Sequence, residues 1–273
     1  MGRRQPAVAG WFYERDSERL RAQVDACFAA NPPVTQKRRV VGAVVPHAGL
    51  MYSGQIAAAL YAIADLPRRL VILCPNHTGF GSGAAINLEG SWVTPLGEVP
   101  IDTELAKEIA EACGTVEDDS AAHAREHSLE VQLPLLQSIL PEFSIVPLCL
   151  GIHRYQFCEE IGEALAMVVE RHRENDPVAI IASSDLNHHE EQSVTLRKDQ
   201  LAIDRLLARD PRGLWETVQR ERISMCGIVP GTAMLVAANQ LGASESELIR
   251  HATSGDVNGD FDSVVGYAAV LVS

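Results

Sequence analysis

Short apolar runs alternate along the chain with longer segments in which apolar residues recur at helical spacing. The runs are rich in β-branched residues and have the length of strands. They are VVGAVVP (40–46), RLVILC (69–74), FSIVPLCL (143–150), PVAIIA (177–182) and SVVGYAAVLV (263–272). The helical segments include 17–30, 103–113, 159–172 and 195–209. Because runs this apolar must be buried on both sides, the pattern predicts an α/β fold whose sheet carries helices on both faces.

The chain has 273 residues and shows no repeat, no low-complexity segment and no linker. This length suits one large α/β domain or two small ones, and without a boundary we predict one domain over 1–273. Three clusters, 31–33, 79–83 and 254–262, interrupt the pattern. We interpret the last two as turns, because 79–83 lacks the last glycine of a dinucleotide fingerprint and 254–262 lacks the closing Glu of a calcium loop.

Acidic residues outnumber basic ones, 36 to 23, which gives a formal net charge of −13. This charge disfavours broad contacts with nucleic acid or anionic lipid. No apolar run approaches the roughly 18 residues of a membrane span, and the first ten residues lack the apolar core of a signal peptide. We therefore expect a cytoplasmic protein with neither nucleic acid nor a membrane as partner.

The six cysteines form no CxxC pair and have no regular spacing, so we predict thiols and no disulfides. Cys74 and Cys149 end apolar runs and are predicted to be buried. Cys226 follows no such run. It precedes a helical segment, and the positive potential of a helix N-terminus would lower the pKa of its thiol.

Histidines follow the predicted strands: His47, His77, the pair His188 and His189, and His153. The carboxyl ends of parallel strands meet at one edge of a sheet, where ligands bind. Neutral imidazoles are the commonest metal ligands in proteins. This arrangement predicts a metal site in a cleft at the strand ends.

An anionic ligand would complete such a site, and the residues alone leave four alternatives: Asp185, Glu126, Glu130 and Cys226. Two histidines with a carboxylate are typical of non-haem Fe(II) chemistry. A thiolate in place of the carboxylate favours Fe, Zn or Cu(I). The sequence pattern does not rank these metals.

Competing sites are less well supported by the residues. His123, Glu126 and His127 match the H-x-x-E-H pattern of zinc proteases, but we favour a charged helix start in which Glu126 and Glu130 lie one turn apart. No G-x-S-x-G elbow of a serine hydrolase is present. Cys226 paired with a histidine as a nucleophile remains an alternative.

Nine motifs follow one another as in the Memo family, also called AmmeMemoRadiSam system protein B. They are PAVAGWFY (6–13), VPHAGLMYSG (45–54), CPNHTG (74–79), TPLGEV (94–99), EHSLEVQLP (126–134), IVPLCLG (145–151), SSDLNHH (183–189), SMCG (224–227) and ATSGDVNGDFDSVVGYA (252–268). The chain resembles this family from about residue 6 to its last residue.

The resemblance implies an α/β domain with a mixed, mostly parallel twisted sheet, similar to the class III extradiol ring-cleaving dioxygenases. His47 and His77 match two histidine ligands of a metal, and Cys226 matches a third ligand where those dioxygenases place a glutamate. His188 resembles their acid and base, with Asp185 nearby. The register favours His188 over its neighbour as this residue.

His127 also belongs to the family pattern around the cleft. The resemblance implies a mononuclear site for Fe(II), with Cu or Zn as alternatives, and a metal-dependent, dioxygenase-like oxidoreductase acting on an unidentified small molecule. The alternative is a non-catalytic module that docks a peptide or protein in the same cleft. AMMECR-like and radical-SAM proteins, named together with this family, are the implied partners.

Overall fold

The computed structural model describes residues 2–31, 34 and 36–273, so Pro32 and Pro33 of the interruption at 31–33 lie outside the described residues. The strands are β1 (Arg3–Arg4), β2 (Arg38–Arg39), β3 (Gly42–Val45), β4 (Ala64–Asp65), β5 (Arg69–Pro75), β6 (Ala84–Ile86), β7 (Ser91–Thr94), β8 (Gly97–Pro100), β9 (Glu117–Asp118), β10 (Ser144–Leu150), β11 (Val178–Ser183), β12 (His188–Glu190), β13 (Ser246–Thr253) and β14 (Val264–Val272). The helices are α1 (Ser17–Ala29), α2 (Leu50–Ile63), α3 (Thr103–Ala112), α4 (Ser120–Ala124), α5 (Gln132–Ile139), α6 (Tyr155–His172), α7 (Gln192–Leu207), α8 (Pro211–Arg220), α9 (Ile228–Gln240) and α10 (Gly255–Asn258).

The five apolar runs of the sequence are strands β3, β5, β10, β11 and β14, and the four amphipathic segments are helices α1, α3, α6 and α7. Every residue of β3, β5 and β11 is buried, as expected for strands covered on both faces. These predictions of strands and helices are confirmed. The cluster 79–83 forms a turn, in which Gly79 and Gly81 have positive φ. The prediction of a turn over 254–262 is wrong in part, because Gly255–Asn258 form the short helix α10, which ends at Gly259 with a φ of 74°.

The main sheet has the strand order β12-β14-β3-β11-β5-β10-β6-β9, and β13 also pairs with β14. Its centre, β3-β11-β5-β10, is parallel. Strands β14 and β6 flank this centre in antiparallel orientation. The predicted mixed sheet is therefore confirmed, with the carboxyl ends of its central strands at one edge.

Helices cover both faces of this sheet. Helix α9 packs against β3, β5 and β11 and also against α6, while α2 packs against β3, β13 and β14 together with α1 and α5. Gly42 allows the close approach of α9, because a Cβ atom at this position would lie 2.4 Å from Met234 Sδ. None of the helices in the described part of the chain combines the length and the apolarity needed to span a bilayer.

Glu130 anchors the N-terminal segment to the domain. Its carboxylate is fully buried, pairs with Arg4 and accepts the backbone N–H groups of Ala7 and Val8 at 2.8 and 3.1 Å. The Tyr13 hydroxyl donates to it at 2.5 Å. The prediction that Glu130 lies on a charged helix start is thus wrong, because its partners come from a distant part of the chain.

Candidate metal centre

His47, His77 and Cys226 converge at the carboxyl edge of the parallel strands. His47 follows β3, His77 follows β5, and Cys226 lies in the loop before α9. Each offers one ligand atom, and these three atoms lie within 4.8 Å of one another. His47 Nε2 and Cys226 Sγ are 3.4 Å apart. Of the strand-end histidines identified in the sequence, His47 and His77 are therefore together, and with Cys226 they form a candidate metal-binding site.

Burial keeps the His47 imidazole neutral, which is the form that can bind a metal through a ring nitrogen. The residue is 1% exposed. Its burial lowers the pKa well below the usual value, and the nearby His127 and His77 lower it further. The rings of His47 and His77 are 5.3 Å apart and nearly perpendicular. The ligand-type nitrogens of the two rings therefore lie close to each other and to Cys226 Sγ.

Glu126 fixes the orientation of His77. Its carboxylate accepts the backbone N–H of His77 at 2.7 Å and faces the ring Nδ1 at 2.9 Å. Burial opposes ionisation of Glu126, but the hydrogen bond and charge of His77 and the bonds from Ser128 outweigh it and lower the pKa to about 2. An ionised carboxylate only accepts hydrogen bonds, so Nδ1 of His77 is the donor in this contact, and Nε2 is the ring nitrogen that could bind a metal.

Glu126 and His127 form a second group of ligand-type atoms with His77. The oxygens of Glu126 also accept the backbone N–H and the hydroxyl of Ser128 at 3.0 and 2.6 Å. Together with the bonds from His77, these bonds mean that both carboxylate oxygens of Glu126 already accept hydrogen bonds from the protein. Of the four anions left open by the sequence, the geometry favours Cys226 as the ligand and gives Glu126 a supporting place.

Cys226 differs from the other five cysteines, all of which are buried, as predicted for Cys74 and Cys149. Its sulfur accepts the backbone N–H of Asp185 at 3.2 Å. Burial of the sulfur raises the pKa of the thiol, and the charge of Asp185 raises it further. The expectation that the start of α9 lowers this pKa is therefore wrong, because desolvation dominates. A protonated thiol is a poor nucleophile, whereas a bound cation would deprotonate it.

Asp185 connects the two loops that carry His47 and Cys226. Its carboxylate accepts the backbone N–H of His47 at 2.7 Å, while its own N–H donates to the Cys226 sulfur. Burial raises the pKa of Asp185 to about 7, although hydrogen bonds from His47 and Ala48 oppose this shift. Asp185 lies where the sequence placed it, next to the ligand-type residues.

His188 is the first residue of β12, and Ser224 holds it in place. The His188 backbone N–H donates to the Ser224 hydroxyl at 2.7 Å, and its Nδ1 lies 2.8 Å from the Ser224 carbonyl oxygen. A carbonyl only accepts, so Nδ1 carries the proton and Nε2 is free to accept one. Burial lowers the pKa of His188 and keeps it neutral. His189 is exposed with a φ of 60°, and His153 is exposed too.

His127 forms one wall of the centre. Its ring stacks on His77 with 4.7 Å between centroids and lies 5.5 Å from the ring of His47. The Phe12 ring, carried by the anchored N-terminal segment, lies 4.6 Å from it on another side. Burial lowers the pKa of His127 to about 4, so this wall is uncharged at neutral pH.

His123 lies apart from this centre, which argues against the zinc-protease alternative. Helix α4 ends at Ala124, so His123 and His127 do not share a helix. The His123 ring is fully buried with its edge toward Trp92, and neither ring nitrogen has a hydrogen-bond partner among the described residues. Glu126 is buried and lies beyond the end of α4 at Ala124, so the predicted charged helix start is also wrong.

Sequence reasoning missed four residues that support the site: Ser128, Gln132, Ser183 and Ser224. All but Ser224 are fully buried. For Ser128, Gln132 and Ser183, the available signal is a polar residue directly beside an apolar one. Ser224 is exposed and gives no such signal. A buried polar side chain needs a partner, so such positions indicate hydrogen-bond networks.

The chain matches the family described as Memo-like protein over residues 4–271. A MEMO1 family protein of Methanopyrus kandleri is 45% identical to it over 98% of both chains. Another, from Methanothermobacter thermautotrophicus, is 43% identical over 97% of this chain and 98% of the relative.

The fold is similar to the crystal structure of an uncharacterized protein from Escherichia coli K12. The TM-score is 0.54 at 11% identity, and the match covers 85% of this chain and 100% of the other. This likeness concerns the fold alone and agrees with the predicted α/β fold. With its sequence match over nearly the whole chain, the protein belongs to the Memo family.

Proposed function

We propose that this Memo-family protein is an oxidoreductase that binds one iron(II) or copper ion through His47, His77 and Cys226. The observation that carries the proposal is the convergence of two imidazole nitrogens and one sulfur within 4.8 Å. Ligand atoms bound at about 2.0 to 2.3 Å would lie roughly 3 to 4 Å apart, so only small movements are needed. Nitrogen and thiolate ligands suit iron, copper and zinc, and zinc would bind without redox chemistry.

A metal held by three protein ligands has open positions, where it would supply Lewis-acid and electron-transfer chemistry to O2 or a small phenol-like substrate. The protein's own residues then have distinct tasks. His188 accepts and returns a proton through its free Nε2. His127 and Phe12 shield one side of the cleft from water.

Metal content after anaerobic purification tests the ligand assignment. We expect about one equivalent of metal per chain in the parent and almost none in Cys226→Ala and His47→Ala. His153→Ala is the matched control, since His153 also follows a strand but is exposed and lies outside the ligand group. Equally low metal in all four proteins would rule out this assignment and favour a binding module.

Oxygen uptake with a panel of catechols tests the oxidoreductase activity. A base at His188 predicts that His188→Gln slows uptake by about 10²-fold or more, while His189→Gln has little effect. An iron-loaded protein that consumes no oxygen with any catechol would contradict the dioxygenase-like reaction. Equal rates in the two variants would instead remove the role of His188.

A non-catalytic binding module is the second candidate, and one observation favours it. Trp11, Met51 and Phe80 are 86%, 64% and 54% exposed, and each lies within a few residues of Phe12, His47 or His77 in the chain. Exposed apolar residues of this size are typical of interaction sites. We expect peptides selected from a displayed library to bind Cys226→Ala as well as the parent, but Trp11→Ala more weakly. Peptides that stop binding when the metal is removed would argue against a non-catalytic binding module.

A further inference from the structure

We propose that Ser183 is a positioning residue that holds His47 as the tautomer with its proton on Nδ1, which keeps Nε2 free for the metal. This inference rests on the proposed metal site and adds how its most buried ligand is prepared. Ser183 is the last residue of β11, is fully buried, and its Oγ lies 2.9 Å from Nδ1 of His47.

A hydroxyl group can donate to or accept from an imidazole, so the direction of this bond depends on the other partners of Ser183. Its Oγ lies 2.6 Å from the carbonyl oxygen of Ser128 and 2.9 Å from Nε2 of Gln132. The carbonyl only accepts and the amide NH₂ only donates. The single hydroxyl proton of Ser183 therefore goes to Ser128, and both of its lone pairs receive protons, one from Gln132 and one from His47.

The orientation of the Gln132 side chain is also determined. Its Nε2 donates to the carbonyl oxygen of Pro46 at 3.0 Å, and its Oε1 accepts the hydroxyl proton of Tyr61 at 2.7 Å. A flipped amide would place an oxygen against the Pro46 oxygen. Gln132 and Tyr61 are fully buried, so bulk water does not compete for these bonds.

The opposite tautomer of His47 would be poorly accommodated. With Nδ1 as an acceptor, the one proton of Ser183 would have two acceptors, and one buried acceptor would stay unpaired. The Nε2–H group would then point toward Cys226 Sγ, 3.4 Å away, where the metal would bind. His77 and His188 face a carboxylate and a carbonyl, which can only accept, so His47 alone among the three depends on a hydroxyl network.

The test combines histidine ¹⁵N NMR of the metal-free protein with anaerobic Fe²⁺ titration. In the parent we expect a protonated Nδ1 and an unprotonated Nε2 at His47. Ser183→Ala should shift both signals toward a mixture of tautomers and weaken Fe²⁺ binding by about 10- to 100-fold. Ser183→Thr keeps the hydroxyl and should restore both. Should Ser183→Ala not fold, Ser183→Cys takes its place, since a thiol is a weak acceptor.

Tyr61→Phe is the matched control, because it removes one buried hydrogen bond of the same network but leaves the bonds of Gln132 to Pro46 and Ser183. It should keep the parent's tautomer and affinity. An Nε2–H signal for His47 in the parent, or unchanged signals in the Ser183 variant, would overturn the inference. A parent that shows the expected tautomer but binds no Fe²⁺ would contradict only the proposed metal function.

Discussion

Glu126 holds His77 at two points, at the backbone N–H at 2.7 Å and at the ring Nδ1 at 2.9 Å. The two residues are 49 positions apart, so this contact forms only in the folded chain. A carboxylate behind a ligand histidine orients the ring and makes it a stronger base. The candidate metal centre thus includes a buried carboxylate that orients one of its ligand-type histidines.

Glu126→Gln should weaken metal binding by about 10- to 100-fold, because one carboxylate oxygen becomes an NH₂ group that faces N–H donors. Metal titration of the purified variant measures this. The control is Glu142→Gln, which alters an exposed carboxylate whose side chain is 79% accessible. Parent-like affinity in Glu126→Gln would show that the carboxylate charge does not support the site.

His123 should make the protein less stable in mild acid. Burial lowers its pKa from 6.5 to about 4, so the unfolded chain binds a proton more readily than the folded one. The free energy of unfolding therefore rises with pH between about 4 and 6.5 and falls again as the pH is lowered through this range. His123 contributes about 3 kcal/mol to this change at most. Urea unfolding between pH 4 and 7 measures the slope.

His123→Phe should flatten that slope, because it removes the group that the unfolded state protonates. The exposed His153 provides the comparison, and His153→Phe should leave the slope unchanged. If His123→Phe unfolds in acid exactly as steeply as the parent, other groups cause the acid sensitivity.

Glu130→Ala should free the N-terminal segment, because it leaves the Arg4 side chain, Ala7 N–H, Val8 N–H and the Tyr13 hydroxyl without their acceptor. Removing one partner of a buried ion pair costs about 3 to 5 kcal/mol. Hydrogen exchange should become faster in residues 2–16. Glu98→Ala, which removes the partner of the exposed Arg3, should cost less than about 1 kcal/mol. Unchanged exchange in Glu130→Ala would contradict this anchoring role.

Gly42→Ala should destabilise the domain by about 1 to 3 kcal/mol, because the new Cβ atom would overlap Met234 Sδ. Thermal or urea unfolding measures the loss, and a second substitution, Met234→Val, should recover part of it by making room. Gly114→Ala is the control, since nothing lies within 4 Å of a Cβ atom there. If the stability losses of Gly42→Ala and Met234→Val simply add in the double variant, overlap with Met234 is not the cause of the destabilisation.

The strands and the ligand histidines could be predicted because they depend on local patterns. Apolar runs indicate buried strands, and parallel strands bring the residues that follow them, here His47 and His77, to one edge. The supporting residues depend on contacts between distant segments. Glu130 meets Arg4 across 126 positions and Ser183 meets His47 across 136, and no periodicity records such distances.

Predictions of burial and pKa from the charged groups nearby in the sequence were the least reliable. From the sequence we predict that Glu126 and Glu130 lie on a charged helix start, yet both are buried because each has several hydrogen-bond donors from elsewhere in the chain. For Cys226, the nearby helix start predicts a lower pKa, but burial of the sulfur has the larger effect. Local electrostatic rules fail at these positions because desolvation is set by the tertiary structure.

The Ser224 contacts of His188 have a mechanical consequence. Ser224 holds His188, the base of the proposed reaction, through two hydrogen bonds, and Cys226 lies only two positions further along the same loop. If a metal bound at Cys226 and displaced its sulfur, the displacement would act on the peptide units that fix His188. We therefore expect the position of His188 to change when a metal binds at Cys226.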